Sequence, residues 1–218
     1  MSENQETTVE IETDDVCLTG DLRVPAAAHS LVVFAHGSGS SRLSPRNRYV
    51  AEKLNAFGLA TLLADLLTAE EEKVDRMTRE LRFDMDLLRR RVDGLVDWAD
   101  SHPSTSSLAI GCFGASTGAA GALLAAADRP ESVRAVVSRG GRPDLAADAL
   151  PKVKAPTLLI VGGNDKQVIE LNRRALAVMT AKKELRIVSG ASHLFEEPGK
   201  LDEVADLTGD WFVRHLGR

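Results

Sequence analysis

Residues 108–121 read LAIGCFGASTGAAG, and the fold turns on them. An apolar run ends at Ala115, Ser116 stands between Gly114 and Gly118, and the chain continues through small residues. A strand that reverses directly into a helix needs a very tight turn with a strained central residue. Gly114 and Gly118 remove side chains that would collide across that turn. Gly121 and alanines 119, 120 and 122 let the new helix pack closely on its neighbours. The Ser116 hydroxyl is thereby pushed out above the strand ends, beside the free N–H groups of the helix start. A G-x-S-x-G match alone is weak, but here it has the strand, turn and helix that the chemistry demands. A phosphate-binding loop is set aside, since neither Gly-Lys-Ser/Thr nor a GxGxxG near the first strand is present.

Outward from this turn, short β-branched runs alternate with helical stretches, the signature of a mainly parallel sheet covered on both faces. VEIETDD and VCLTGDLRVP read as an antiparallel hairpin with a tight Asp14-Asp15 turn, forming one sheet edge. SLVVFA follows, then a helix from about Pro45 to Phe57 ended by Gly58, then the strand ATLLADLL. The stretch TAEEEKVDRMT reads as a mobile rim near the pocket mouth with solvated glutamates, and a helix begins near Arg79. In that helix Leu81, Met85, Leu88, Val92, Leu95, Val96 and Ala99 recur at helical spacing, and arginines 89 to 91 read as solvated surface. Strands VRAVVS, TLLIVGG and ELRIVS, with helices near 167–181 and from about 200, complete eight strands. Only residues 139–156 lie between VRAVVS and TLLIVGG, too few for a cap domain.

The 218 residues are 44% hydrophobic and 27% charged, which suits one domain, 1–218, with a substantial core. A net charge of -5 and the lack of a lysine or arginine block argue against nucleic acid and anionic lipid as partners. The polar, acidic start and the absence of an 18-residue apolar run read as a soluble, cytoplasmic protein with no membrane partner. Cys17 and Cys112 fall inside expected strands without metal-ligand spacing, and read as two reduced, buried thiols.

A serine hydroxyl needs an adjacent base that is itself oriented by a third group. Of five histidines, His193 in GASHLF follows the last strand, where a loop brings an imidazole over the edge that carries Ser116. His29, His102 and His215 read as satisfied or solvated. Asp165, after TLLIVGG, is placed to orient His193, with Asp144 and Asp148 as reserves and helix capping as the other occupation for such an aspartate. Arg139, leaving the strand between those of Ser116 and Asp165, reads either as a contact for an anionic substrate group or as the partner of a structural carboxylate such as Asp65. Arg42 is a second candidate on the rim for substrate binding.

The order Ser116, Asp165, His193, with FAHGSGSS, GCFGASTG, GGNDKQV and GASHLF in sequence, resembles the α/β-hydrolase superfamily and its small, capless dienelactone-hydrolase-like branch. The resemblance covers nearly the whole chain. It implies an eight-stranded, mainly parallel sheet and an oxyanion hole made of the Ser38 and Thr117 N–H groups, with His36 and Gly37 shaping the loop that meets the substrate. Dienelactone hydrolases proper use a cysteine where this chain has Ser116. The expected activity is hydrolysis of a small carboxylic ester or thioester through an acyl-enzyme, which needs neither metal nor organic cofactor. The same apparatus serves a perhydrolase or a lactone or amide hydrolase, and a catalytically silent binding module is the alternative from another class. Oligomeric state is not readable from these residues.

Overall fold

The computed structural model describes residues 5–13 and 16–217. Its centre is one eight-stranded sheet: β1 (Thr7–Glu12), β2 (Cys17–Arg23), β3 (Ser30–Ala35), β4 (Ala60–Ala64), β5 (Ala109–Ala115), β6 (Val133–Arg139), β7 (Thr157–Gly162) and β8 (Lys183–Val188). The spatial order is β1-β2-β4-β3-β5-β6-β7-β8. β1 pairs antiparallel with β2, from Thr7 opposite Leu22 to Glu12 opposite Cys17, and β2 pairs antiparallel with β4. Every later pairing is parallel. The turn expected at Asp14-Asp15 lies outside the described residues.

Because β3 and β5 are central and buried on both faces, they carry continuous apolar runs and not an alternating pattern. One face packs Val32, Phe34, Phe113 and Val137 against α1 (Pro45–Ala56) and α6 (Lys200–Leu216). The other packs Val33, Cys112 and Val136 against α3 (Met85–Ser101), α4 (Gly118–Asp128) and α5 (Lys166–Val178). Parallel pairing puts the ends of β3, β5, β6 and β7 on one edge, so the loops leaving them converge there. Between β6 and β7 lie only short 3-10 turns at Pro143–Ala146 and Leu150–Lys152, so no cap domain interrupts the sheet. Among the described residues no helix is long and apolar enough to cross a membrane.

Three expectations are corrected. The stretch after β4, expected as a mobile rim and not a folded element, is the helix α2 (Ala69–Thr78), started by a reciprocal cap in which Thr68 Oγ1 accepts from the Glu71 N–H and Glu71 Oε2 accepts from the Thr68 N–H. Arg79 then takes a left-handed conformation, a 3-10 turn spans Leu81–Phe83, and α3 starts only after Asp84, whose side chain caps the Leu87 N–H at 2.9 Å. The arginine triplet is likewise not uniformly solvated. Arg91 is 1% exposed and donates to Glu71 Oε1 at 2.7 Å, so that glutamate is engaged as well. Finally, Cys112 is buried but Cys17, at the first position of β2, is exposed.

Candidate active site

The turn after β5 has the geometry its glycines demand. Ser116 sits at φ 52, a conformation that costs a non-glycine residue about 1–3 kcal/mol. Its backbone offsets part of that cost: the N–H donates to Arg139 O, and the carbonyl accepts from the N–H groups of Ala119 and Arg142, all within 3.1 Å. A Cβ on Gly114 would stand 2.3 Å from Ala119 Cα, and one on Gly118 would stand 2.2 Å from Ala35 O. Neither position has room for alanine. The start of α4 is therefore pressed against the end of β3, and residues 36–38 pass directly beside Ser116.

Asp165, at the N-terminus of α5, has two occupations at once. Oδ1 accepts from the Val168 N–H at 3.3 Å as a helix cap, and Oδ2 meets His193 Nδ1 at 2.6 Å. The loop carrying His193 is held against β7 by backbone: Asn164 N donates to Ala191 O at 2.9 Å, and Gly162 leaves space in which a Cβ would meet Ser192 O at 2.3 Å. Phe195, buried and at φ 58, anchors its far end. Glu197, which the sequence reading did not single out, accepts the Ser192 N–H at 3.0 Å with both carboxylate oxygens, and these bonds hold its carboxyl below the usual range. The His193 ring lies over Gly140, whose Cβ would be 3.5 Å from Cε1. Gly140 follows Arg139, the acceptor for Ser116 N–H, so all three candidate groups share one edge. No hydrogen bond joins Ser116 Oγ to His193 in the structure, and such contacts often tighten on substrate binding.

The reserve carboxylates lie elsewhere. Asp144 is paired bidentately with Arg142 at 2.7–2.8 Å, and Asp148 is exposed. His29 is exposed, and His102 stacks on Trp98 with ring centroids 4.3 Å apart. His215 lies beside Trp211 on α6.

His36 is a brace for the loop after β3. Its Nε2 faces the Leu66 N–H at 3.0 Å and must accept, so the ring proton is on Nδ1 and donates to Gly37 O at 3.0 Å. Burial pushes its pKa down and keeps it neutral. Gly37 approaches so closely that a Cβ there would stand 3.1 Å from Ser116 Cβ. The Ser38 N–H, one of the two expected oxyanion donors, is occupied: it donates to Thr117 Oγ1 at 2.8 Å. The Thr117 N–H has no hydrogen-bond acceptor among the described residues.

The two candidate arginines differ. Arg42 binds Asp65 at 2.6 Å and lies 3.3 Å from Asp21, at the edge of a groove of about 850 Å³ between residues 39–45 and α2. Asp65 is thus taken, and Arg139 does not reach it. Arg139 is 7% exposed, its Nη1 has no acceptor, and its guanidinium stacks 5.8 Å above the Phe113 ring. Burial, and then the like charge of Arg46, push its pKa down to about 10. No group of three or more metal-ligating side chains is gathered among the described residues.

Comparison with known proteins agrees with this architecture. Residues 20–211 match the model of the dienelactone hydrolase family. A dienelactone hydrolase structure from Anabaena variabilis ATCC 29413 is 58% identical, covers 98% of this chain and 99% of its own, and superposes with a TM-score of 0.97. Est1E from Butyrivibrio proteoclasticus has the same fold at 17% identity, with a TM-score of 0.81 over 97% of this chain and 99% of its own. Two Mycobacterium tuberculosis proteins, provisionally named phosphoribosyl transferases, are 57% identical over 208 residues. That alignment takes in 95% of this chain but only 46% of theirs, so the chain spans about half the length of these relatives. With a family match across most of its length, this chain belongs to the dienelactone hydrolase family.

Proposed function

We propose that the chain is a serine hydrolase of small carboxylic esters or thioesters. The observation that supports this most is the 2.6 Å contact between His193 Nδ1 and Asp165 Oδ2, on the same sheet edge as the strained Ser116 turn. Asp165 keeps the His193 proton on Nδ1, which leaves Nε2 free to take the proton of Ser116 as its oxygen attacks the ester carbonyl. The C–O or C–S bond of the substrate then breaks, His193 returns the proton to the leaving group, and an acyl-enzyme remains for water to hydrolyse. The Thr117 and Ser38 amides hold the oxyanion in each step, and losing one such donor typically costs about 2.7–4 kcal/mol.

Arg139 gives this reading a substrate preference. A guanidinium this buried normally answers a carboxylate. The charge that acts on it here is another cation, Arg46, whose Nη1 pairs with Glu196 at 3.1 Å and whose Nε lacks an acceptor. We assign the missing anion to the substrate, as a carboxylate or phosphate beside the scissile ester. The name borne by the mycobacterial relatives belongs to proteins of which this chain matches only 46%.

The test is labelling with a fluorophosphonate probe, followed by kinetics on paired esters. Wild type is expected to label and Ser116→Ala is not. Arg139→Met should raise KM for an acid-bearing ester about tenfold or more while leaving its neutral methyl ester within twofold. Equal labelling of wild type and Ser116→Ala defeats the hydrolase reading, and equal losses on both esters defeat the role given to Arg139.

A further inference from the structure

The Ser38–Thr117 contact can be resolved to individual protons. Ser38 Oγ lies 3.0 Å from Arg82 O and 2.8 Å from Thr117 Oγ1. A carbonyl only accepts, so the single Ser38 hydroxyl proton is spent on Arg82 O. Thr117 is then the donor to Ser38 Oγ, and Thr117 Oγ1 in turn accepts the Ser38 N–H at 2.8 Å. The two residues close a ring of hydrogen bonds, and among the described residues its one outside link is the Arg82 carbonyl.

That carbonyl belongs to the segment that α2 begins. Arg82 is tied to Asp75, whose side chain is fully buried, by Nε at 2.6 Å and by its N–H at 3.0 Å. Its Nη1 lies 2.9 Å from where a Cβ on Gly39 would stand. Beside this contact, Ser38, Thr117, Glu72 and Arg82 line a space of only about 10 Å³, the size of one water. Residues 68–83 are therefore docked on the loop after β3, and the contact passes through Ser38.

We infer that the Thr117 hydroxyl is a resident occupant of the oxyanion hole, latched there through Ser38 by the docked 68–83 segment, and that it swings off the Ser38 amide when an ester carbonyl enters. This rests on the assignment of the Ser38 and Thr117 amides as oxyanion donors. A tethered hydroxyl held by two bonds is harder to displace than a loose water, so the latch slows acylation. Release of Ser38 Oγ from Arg82 O loosens Thr117, which couples opening of the hole to movement of the segment. Thr117 and Ser38 act here as positioning residues through their side chains.

Thr117→Val keeps the branched shape and deletes the oxygen. It should raise the acylation rate and kcat/KM for p-nitrophenyl acetate about three- to tenfold, the scale of one or two net hydrogen bonds. Ser38→Ala, which cuts the link to Arg82, should raise them less, and the double variant should add nothing to Thr117→Val because both cut one ring. Amide hydrogen exchange supplies the spectroscopic control. The Ser38 N–H should be protected in free wild type, unprotected in Thr117→Val, and protected again in the phosphonylated enzyme. A fall or no change in acylation for Thr117→Val with core amides still protected overturns the latch, as does an unprotected Ser38 amide in wild type. If Thr117→Val does not fold, the acylation rate of Ser38→Ala decides in the same way. Failure of wild type to label with fluorophosphonate overturns the hydrolase reading and this inference together, whereas labelling without acceleration overturns the latch alone.

Discussion

The two walls of the candidate site are built differently. On one side, Ser116, Asp165 and His193 are placed largely by backbone: a left-handed serine, glycines with no room for a methyl group, and main-chain bonds that stitch the His193 loop to β7. On the other side, residues 68–83 are held by side chains reaching across the sequence, Arg82 to Asp75 and Arg91 to Glu71. Backbone geometry is set by dihedral angles and main-chain bonds and does not titrate. Side-chain pairs can be released one at a time, by protonation or by movement. The first wall suits chemistry that tolerates little misplacement, and the second suits a surface that opens.

Substitutions can break this contrast, and the largest effect is expected on the rigid wall. Gly118→Ala forces a methyl group into Ala35 O, and should cost about 3 kcal/mol or more, near the top of the range for overpacking. Thermal unfolding should show the loss directly as a fall of about 10 °C in Tm. A variant that melts like wild type would show that the turn is slack.

Asp75→Asn tests the other wall and should act locally. Burial by itself would push this carboxyl up, but the bonds from Arg82 outweigh it and hold its pKa below the usual value. A carboxylate with a depressed folded pKa stabilises above its unfolded pKa and loses that contribution as pH falls through the folded value. Limited proteolysis should therefore cut wild type between residues 68 and 84 only at strongly acid pH, and should cut Asp75→Asn there at neutral pH, with a much smaller change in Tm than Gly118→Ala gives. Global unfolding of Asp75→Asn would mean that the segment is part of the core.

Glu197→Gln sharpens the contrast at its least regular point, since the His193 loop leans on this one side chain. The expected outcome is a three- to fivefold fall in kcat with KM little changed, on the scale of one charge-assisted hydrogen bond partly kept by the amide. Steady-state kinetics on p-nitrophenyl acetate measure it, and an unchanged kcat would assign the loop's order to Phe195 and the backbone alone.

The same contrast explains what was legible in the sequence. The backbone-built wall announces itself locally, because a residue at φ 52 and a 2.2 Å approach leave few choices of residue, and these appear as glycines at fixed offsets around Ser116. Strand order followed from apolar runs for a similar reason. The side-chain-built wall needs partners far apart in sequence. Even so, two of its signals were present: Thr68-x-x-Glu71 is a capping-box pattern, and Arg91 falls three residues after Leu88 and four before Leu95, on the buried stripe of α3. Charge outweighed periodicity in reading that arginine as solvated, because its answer, Glu71, lies 20 residues away. The ring joining Ser38 to Thr117 spans 79 residues and leaves no mark in either segment.

The placement of the two thiols has a practical consequence. Cys112 is sealed between β3 and β6, and burial pushes its thiol pKa up to about 12, so it is inert to alkylating reagents at neutral pH. Cys17 is exposed and lines the groove that α2 borders. The unmodified chain thus carries a single addressable attachment point for a maleimide dye, facing the segment whose motion matters, and fluorescence from it would follow the opening of that wall during turnover without engineering a residue.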